Sequence, residues 1–289
     1  MKATITFSFI FLTVFIYSCS SDVKQTDSAE SIEVQEESAS ISEDIPDESP
    51  SFILPSAFHV SSLLQRAGLE FEGIDCNSAD NIALYNTKNS RLLNFGVYSA
   101  DLFFCVLKDE KDLSKQYIKC LQQISEETGM GSIFNAESIL ERFEQNIENK
   151  DSVLSLILEV QERTDMHVER SNEEHTAMLI FCGAWLEGMH LGLNNFQQNK
   201  NLELGKRLFE QACLLENLIV GLSAYPDPDE TTQSLLAEME RVFASIKETE
   251  AFQKGDYGLI ETPLPESAMM KISSNLNSLR NQVTLNEDS

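Results

Sequence analysis

Two stretches decide the fold: RLLNFGVYSADLFFCVL at residues 91–107 and TAMLIFCGAWLEGMHLGL at residues 176–193. Each is apolar on nearly every face, and a helix that is apolar all round is buried all round. Neither reads as a membrane span, because Asp101 divides the first and Glu187 and His190 divide the second. They are expected to be the central pair of a core wrapped by amphipathic helices. The two strings also align, Gly96-Val97-Tyr98 on Gly183-Ala184-Trp185, at an offset of 87. A duplicated helical unit and a chance likeness between two buried helices are both open readings. Gly183, Gly188 and Gly192 permit close helix approach, although each lowers helix propensity by up to ~1 kcal/mol.

Outward from this pair the period stays helical. Leu113, Tyr117, Cys120, Leu121 and Ile124 share one face near 110–127, and Ile139, Leu140, Phe143 and Ile147 share another near 136–148. Thr128-Gly129-Met130-Gly131 has the form of a C-cap, with Asn135 as the next N-cap. Ser171 and Glu174 have capping-box spacing. Asp227-Pro228 before Glu230 suggests another start, with proline at the first helical position. Pro265 is expected to open the last helix. Leu235, Met239, Val242 and Ile246 form one seam; Met269, Ile272, Leu276, Leu279 and Val283 form a second. These suit an antiparallel hairpin over 229–285 lying on the bundle, or a docking face for a partner helix. The connection at 250–264 holds Gly255, Gly258 and Pro263 among apolar Tyr257, Leu259, Ile260 and Leu264, and is expected to pack down as a lid. No stretch shows sustained period-two alternation. The expectation is all-α: a bundle of about nine helices over 51–289, with a short α-solenoid of helix pairs as the alternative.

The 289 residues include 47 acidic and 21 basic side chains, a formal charge of −26. A chain this acidic is a poor partner for nucleic acid, and for anionic lipid held by charge alone. The apolar share of 42% is enough for a sizeable core.

The first 18 residues have the form of a signal peptide. Lys2 precedes an apolar or hydroxyl-bearing run from Ile5 to Tyr17, too short to span a bilayer. The run ends in Ile16-Tyr17-Ser18-Cys19, which resembles a bacterial lipobox. Cys19 is then the lipidated residue and the membrane anchor; the alternative is an ordinary signal peptide cut nearby. Ser20 and Ser21 follow in place of an aspartate, which by resemblance to sorting in didermic bacteria favours the outer membrane. Residues 20–50 hold ten acidic residues, eight serines, Lys24 and no aromatic, the composition of a solvated tether.

Chemistry-bearing motifs are sparse. There is no Gly-rich phosphate loop, no Gly-x-Ser-x-Gly, no His-Glu-x-x-His and no EF-hand loop, so no cofactor is expected. Glu187 and His190 form a single Glu-x-x-His, where a di-iron bundle needs two such pairs and two further glutamates, so no metal is expected either. With Cys19 lipidated, Cys76, Cys105, Cys120, Cys182 and Cys213 remain. Core packing suits the helical ones, and a disulfide such as Cys105 with Cys120 is left open. Asp101, Glu187 and His190 lie on helices that read as buried, and a buried carboxylate must be paired or change its pKa. One reading is a salt bridge to Arg142, Arg163 or Arg207, or a strip of exposed face. The other is a polar floor to an apolar pocket walled by Tyr98 and Trp185.

The strings Leu93-Asn94-Phe95-Gly96-Val97-Tyr98-Ser99-Ala100-Asp101, Gly129-Met130-Gly131-Ser132 and Gly183-Ala184-Trp185-Leu186-Glu187 resemble a set of helical lipoproteins of the Bacteroidota. The likeness covers roughly 80–220. It implies an anchored envelope protein and supplies no catalytic residue. The first expectation is therefore a non-catalytic module that binds a protein partner or small ligand at the outer membrane. A hydrolase or transferase using Asp101 and Glu187 is the second. An envelope assembly component docking through 229–285 is the third.

Overall fold

The computed structural model describes residues 57–70, 75–135, 138–171, 173–253 and 266–285. The signal stretch, Cys19, the acidic tether, Pro265 and most of the 250–264 connection lie outside them.

The elements in order are α1 (Ala57–Arg66), a 3-10 helix (Ala79–Leu84), α2 (Lys88–Leu107), α3 (Lys111–Thr128), α4 (Ser132–Asn135), α5 (Ile139–Gln145), α6 (Lys150–Ser171), α7 (Glu174–Asn199), α8 (Leu202–Cys213), α9 (Leu215–Ser223), α10 (Glu230–Lys247), α11 (Glu250–Gln253) and α12 (Glu266–Leu285). Among the described residues there is no strand, and the all-α bundle is as expected. The helices outnumber the expected nine because α4 and α11 are single turns and Leu214 breaks one helix into α8 and α9.

α2 and α7 are the central pair. Every residue from Leu92 to Val106 is buried, as is every residue from Met178 to Leu193. α7 is the one described helix long and apolar enough to cross a membrane, but 94% of its most apolar stretch is buried inside the fold, so it is a core helix. The pair packs backbone to backbone. A Cβ on Gly96 would lie 1.9 Å from the Ile180 carbonyl oxygen, and one on Gly183 would lie 1.8 Å from that of Leu93. Each glycine thus sits against the carbonyl three residues before the other, a local two-fold crossing. The offset that aligns the two strings is also the offset of their contacts.

α3 packs on α2; α1, α8, α9 and α12 pack on α7; α12 also touches α2 and the 3-10 helix. A solenoid unit touches only its sequence neighbours. α2 and α7 pack centrally here although α3, α4, α5 and α6 lie between them in sequence, so the solenoid alternative is set aside. α10 and α12 form the antiparallel hairpin, with Gln282 bonded to Ser234 at one end and Lys271 paired with Glu248 at the other. Leu235, Met239, Val242, Ile246, Met269, Ile272, Leu276 and Leu279 are all buried. The seam faces the core and is closed to a partner helix.

The caps are as expected in part. Gly129 ends α3 in the left-handed conformation, φ 88°, and donates its N–H to the Ser125 carbonyl. Asn135 instead lies within α4, and Ser138 precedes α5. Ser171 finishes α6, with its hydroxyl bonded to the Val168 carbonyl, so the Ser171–Glu174 box does not form. α10 starts two residues later than the proline reading: Asp229 is the N-cap, accepting from the Thr232 N–H at 2.9 Å, and Pro228 stands outside.

Candidate functional site

α2 turns one polar stripe, Asn94, Tyr98, Asp101 and Cys105, toward the segment 75–85 and toward α12. The spacing of four, three and four keeps the four on one helix face. Asn94 Nδ2 donates to the Val283 carbonyl at 2.9 Å. The Tyr98 hydroxyl donates to the Ser78 carbonyl at 2.9 Å, and the Tyr117 hydroxyl to the Asn77 carbonyl at 2.7 Å. Tyr85 donates to the Thr284 carbonyl at 3.1 Å and accepts from Asn77 Nδ2 at 2.9 Å. Burial pushes the Tyr85 hydroxyl up to about 12 and the other two higher, so all three stay neutral donors. The segment 75–85 is therefore a polar strap laid over α2.

Asp101 is 0% exposed. Its Oδ2 accepts the Asn77 N–H at 3.2 Å, and its Oδ1 has no hydrogen-bond partner. Burial, the Glu187 charge and the Cys76 thiol raise its pKa well above the ordinary carboxylate range; Arg280 pulls the other way without offsetting them. Glu187, also 0% exposed, is held by both arms of Arg280: Nε to Oε2 and Nη2 to Oε1, each 2.9 Å. Nη2 also reaches the Asp75 carbonyl at 3.4 Å, which ties α12 to the strap. The fork-on-fork geometry is the strong form of a charged hydrogen bond.

Arg142, Arg163 and Arg207 are not the partners of these carboxylates. Arg142 and Arg163 share Glu159, and Arg207 pairs with Glu203 and Glu210. His190 Nδ1 lies 2.7 Å from Asn277 Oδ1. The lone Glu-x-x-His of α7 therefore faces an Asn-x-x-Arg of α12, residue for residue. Among the described residues no group of three or more His, Cys, Asp or Glu side chains is placed to hold a metal ion.

Trp185 belongs to the opposite side. Its Nε1 donates to the Gln211 carbonyl of α8 at 3.1 Å. The local two-fold explains the separation. Tyr98 and Trp185 each lie two residues, about 200°, past the crossing glycine of their own helix. Equivalent positions on the outer faces of a two-fold pair point to opposite flanks. The five expected pocket residues thus divide: Tyr98, Asp101 and Glu187 join the strap network, His190 of α7 meets Asn277 of α12 one turn from that network, and Trp185 fills the α8 side.

A cleft of about 270 Å³ opens beside the strap, at the junction of α2 and α3. Cys76, Cys105, Lys108, Glu110, Gln116 and Tyr117 are among its lining residues; none of the five expected residues is. No protein-family model, curated protein or solved structure matches the chain.

The five described cysteines are free. Cys105 lies one turn before the α2–α3 reversal and Cys120 more than two turns after it, so the two are at different heights on the hairpin. Cys120 instead points its thiol at the Ala79 carbonyl, 3.8 Å away. Cys76 lies beside Cys105 and Asp101. That contact with Cys105, then burial, pushes its thiol pKa up.

The raised carboxyl of Asp101 has a consequence for stability. From a pH of about 4, where an unfolded aspartate ionises, up to its pKa in the fold, native Asp101 keeps a proton the unfolded chain has lost. The native state binds more protons, so this group makes stability fall as pH rises, by up to ~1.4 kcal/mol per pH unit. Asp101→Asn removes the effect with little change of shape. Denaturant unfolding across this window is expected to show the variant gaining on the wild type as pH rises; parallel curves would refute a protonated Asp101.

Proposed function

We propose that this chain is a lipid-anchored protein of the bacterial outer membrane whose helical domain binds a protein partner or small ligand and is not an enzyme. The anchor half rests on Cys19 closing the Ile5–Tyr17 apolar run, with the serine-rich acidic segment behind it. Three acyl chains exceed the two signals needed for stable attachment. The binding half is supported by the state of Asp101 and Glu187. An acid–base pair must meet substrate, and both carboxylates are closed off, one under the strap and one inside the Arg280 fork. The cleft beside the strap offers a small site of mixed polar and apolar lining, with Lys108, Glu110, Phe104 and Leu113 among its walls. Docking through the 229–285 hairpin is the weaker reading, because the seam side chains face inward.

The test is metabolic labelling with radioactive palmitate in the native host, comparing wild type with Cys19→Ala. The wild type is expected to carry label and sediment with outer membrane. The variant is expected to lose both. Unlabelled wild type, or a variant that stays in the membrane, would overturn the anchor.

A further inference from the structure

Cys76 and Cys105 both line the open cleft beside the strap. Cys105 stands one turn beyond Asp101 on the polar stripe of α2, and Cys76 lies on the strap against it. Cys182 is enclosed within α7, and Cys120 is turned to a carbonyl. Cys76 is half-buried, and the cleft of about 270 Å³ gives a small disulfide room to reach it. The strap is otherwise held to α2 and α3 by hydrogen bonds from Asn77, Tyr98 and Tyr117.

We propose that Cys76 and Cys105 form a redox-reversible disulfide that locks the 75–85 strap onto α2. The oxidant is a disulfide, either a small one or that of a thiol oxidase. Cys76, as thiolate, attacks one sulfur of the oxidant; the oxidant's S–S bond breaks and releases one thiolate. Cys105, as thiolate, then attacks the Cys76 sulfur of the mixed disulfide and expels the second. The pair loses two electrons and two protons; the oxidant gains both and leaves as two thiols. The envelope location proposed above says where such an oxidant is met, but the exchange itself does not depend on it. The thiol of Cys76 holds its proton tightly, so exchange is slow at neutral pH and speeds up about tenfold per pH unit.

The purified full chain, reduced and freed of reductant, is incubated with excess oxidised glutathione, and peptides are mapped by mass. A Cys76–Cys105 link is expected, forming faster at higher pH, and unaffected by Cys213→Ser. The linked chain is expected to show an unfolding constant smaller by ~100-fold than the reduced chain, since the bond closes a long loop. A stable glutathione adduct on Cys76, a link to another cysteine, or two thiols still open to alkylation in the unfolded chain would each overturn the pair. A linked chain that unfolds as readily as the reduced one would overturn the lock. Because the assay uses purified protein, it gives the same answer whether or not Cys19 is lipidated.

Discussion

Arg280→Met is expected to lower the stability of the helical domain by about 3–5 kcal/mol, the loss typical when one member of a buried ion pair is removed. Glu187 lies at 0% exposure with its oxygens taken by Arg280 at 2.9 Å. Without the guanidinium it is an unpaired charge in the core, and it must take up a proton or draw water between α7 and α12. The strap loses its bond from Arg280 to the Asp75 carbonyl at the same time. Two comparisons separate charge from packing. Lowering the pH should recover part of the loss in Arg280→Met, because protonation removes the stranded charge. The double variant Glu187→Leu with Arg280→Met should be more stable than Arg280→Met alone, since well-packed apolar pairs often replace buried ion pairs without penalty. Denaturant midpoints followed by circular dichroism would decide. A single variant within about 1 kcal/mol of wild type would show that the fork contributes little.

Gly96→Ala and Gly183→Ala are expected to be as damaging, at about 3 kcal/mol or more each. The added methyl would meet a backbone carbonyl oxygen at 1.9 Å in the first and 1.8 Å in the second. A backbone atom inside a helix cannot step aside as a side chain does. α2 and α7 would have to move apart, and everything packed along them would loosen. Gly221→Ala is the control. There the new methyl meets the flexible tip of Met178 at 2.3 Å, which can turn away, and alanine is the better helix former. Its midpoint should lie within about 1 kcal/mol of wild type. Equal losses at all three glycines would mean that the crossing is no tighter than the rest of the core.

The central helices were legible because burial leaves its mark on every face. Arg91–Leu107 and Thr176–Leu193 read as buried from composition, and they are the core of α2 and α7. The hairpin was legible from its seam. The contents of the polar site were less so. Asn94, Tyr98, Asp101 and Cys105 stand at helical spacing, a signal present in the sequence but hidden by the apolar residues between them. Arg280 pairs with a glutamate 93 residues away, and nothing in local pattern specifies such a partner. Trp185 was misplaced for a geometric reason: the likeness that aligned it with Tyr98 reflects the two-fold that sends the two rings to opposite flanks. The caps at Ser171 and Asp227 failed more simply. Several residues near a helix start can cap it, and tertiary packing chooses among them.

A carboxyl-carbon NMR titration of the folded domain, with the Asp101 signal identified by its loss in Asp101→Asn, tests most directly whether the polar interior is sealed structure or a working site. Asp101 should keep the chemical shift of an uncharged acid well above the pH at which an ordinary aspartate ionises. A signal that titrates near the ordinary value of about 4 would mean that water reaches the carboxylate. The strap would then be no seal, and acid–base chemistry at Asp101 and Glu187 would again be the better reading.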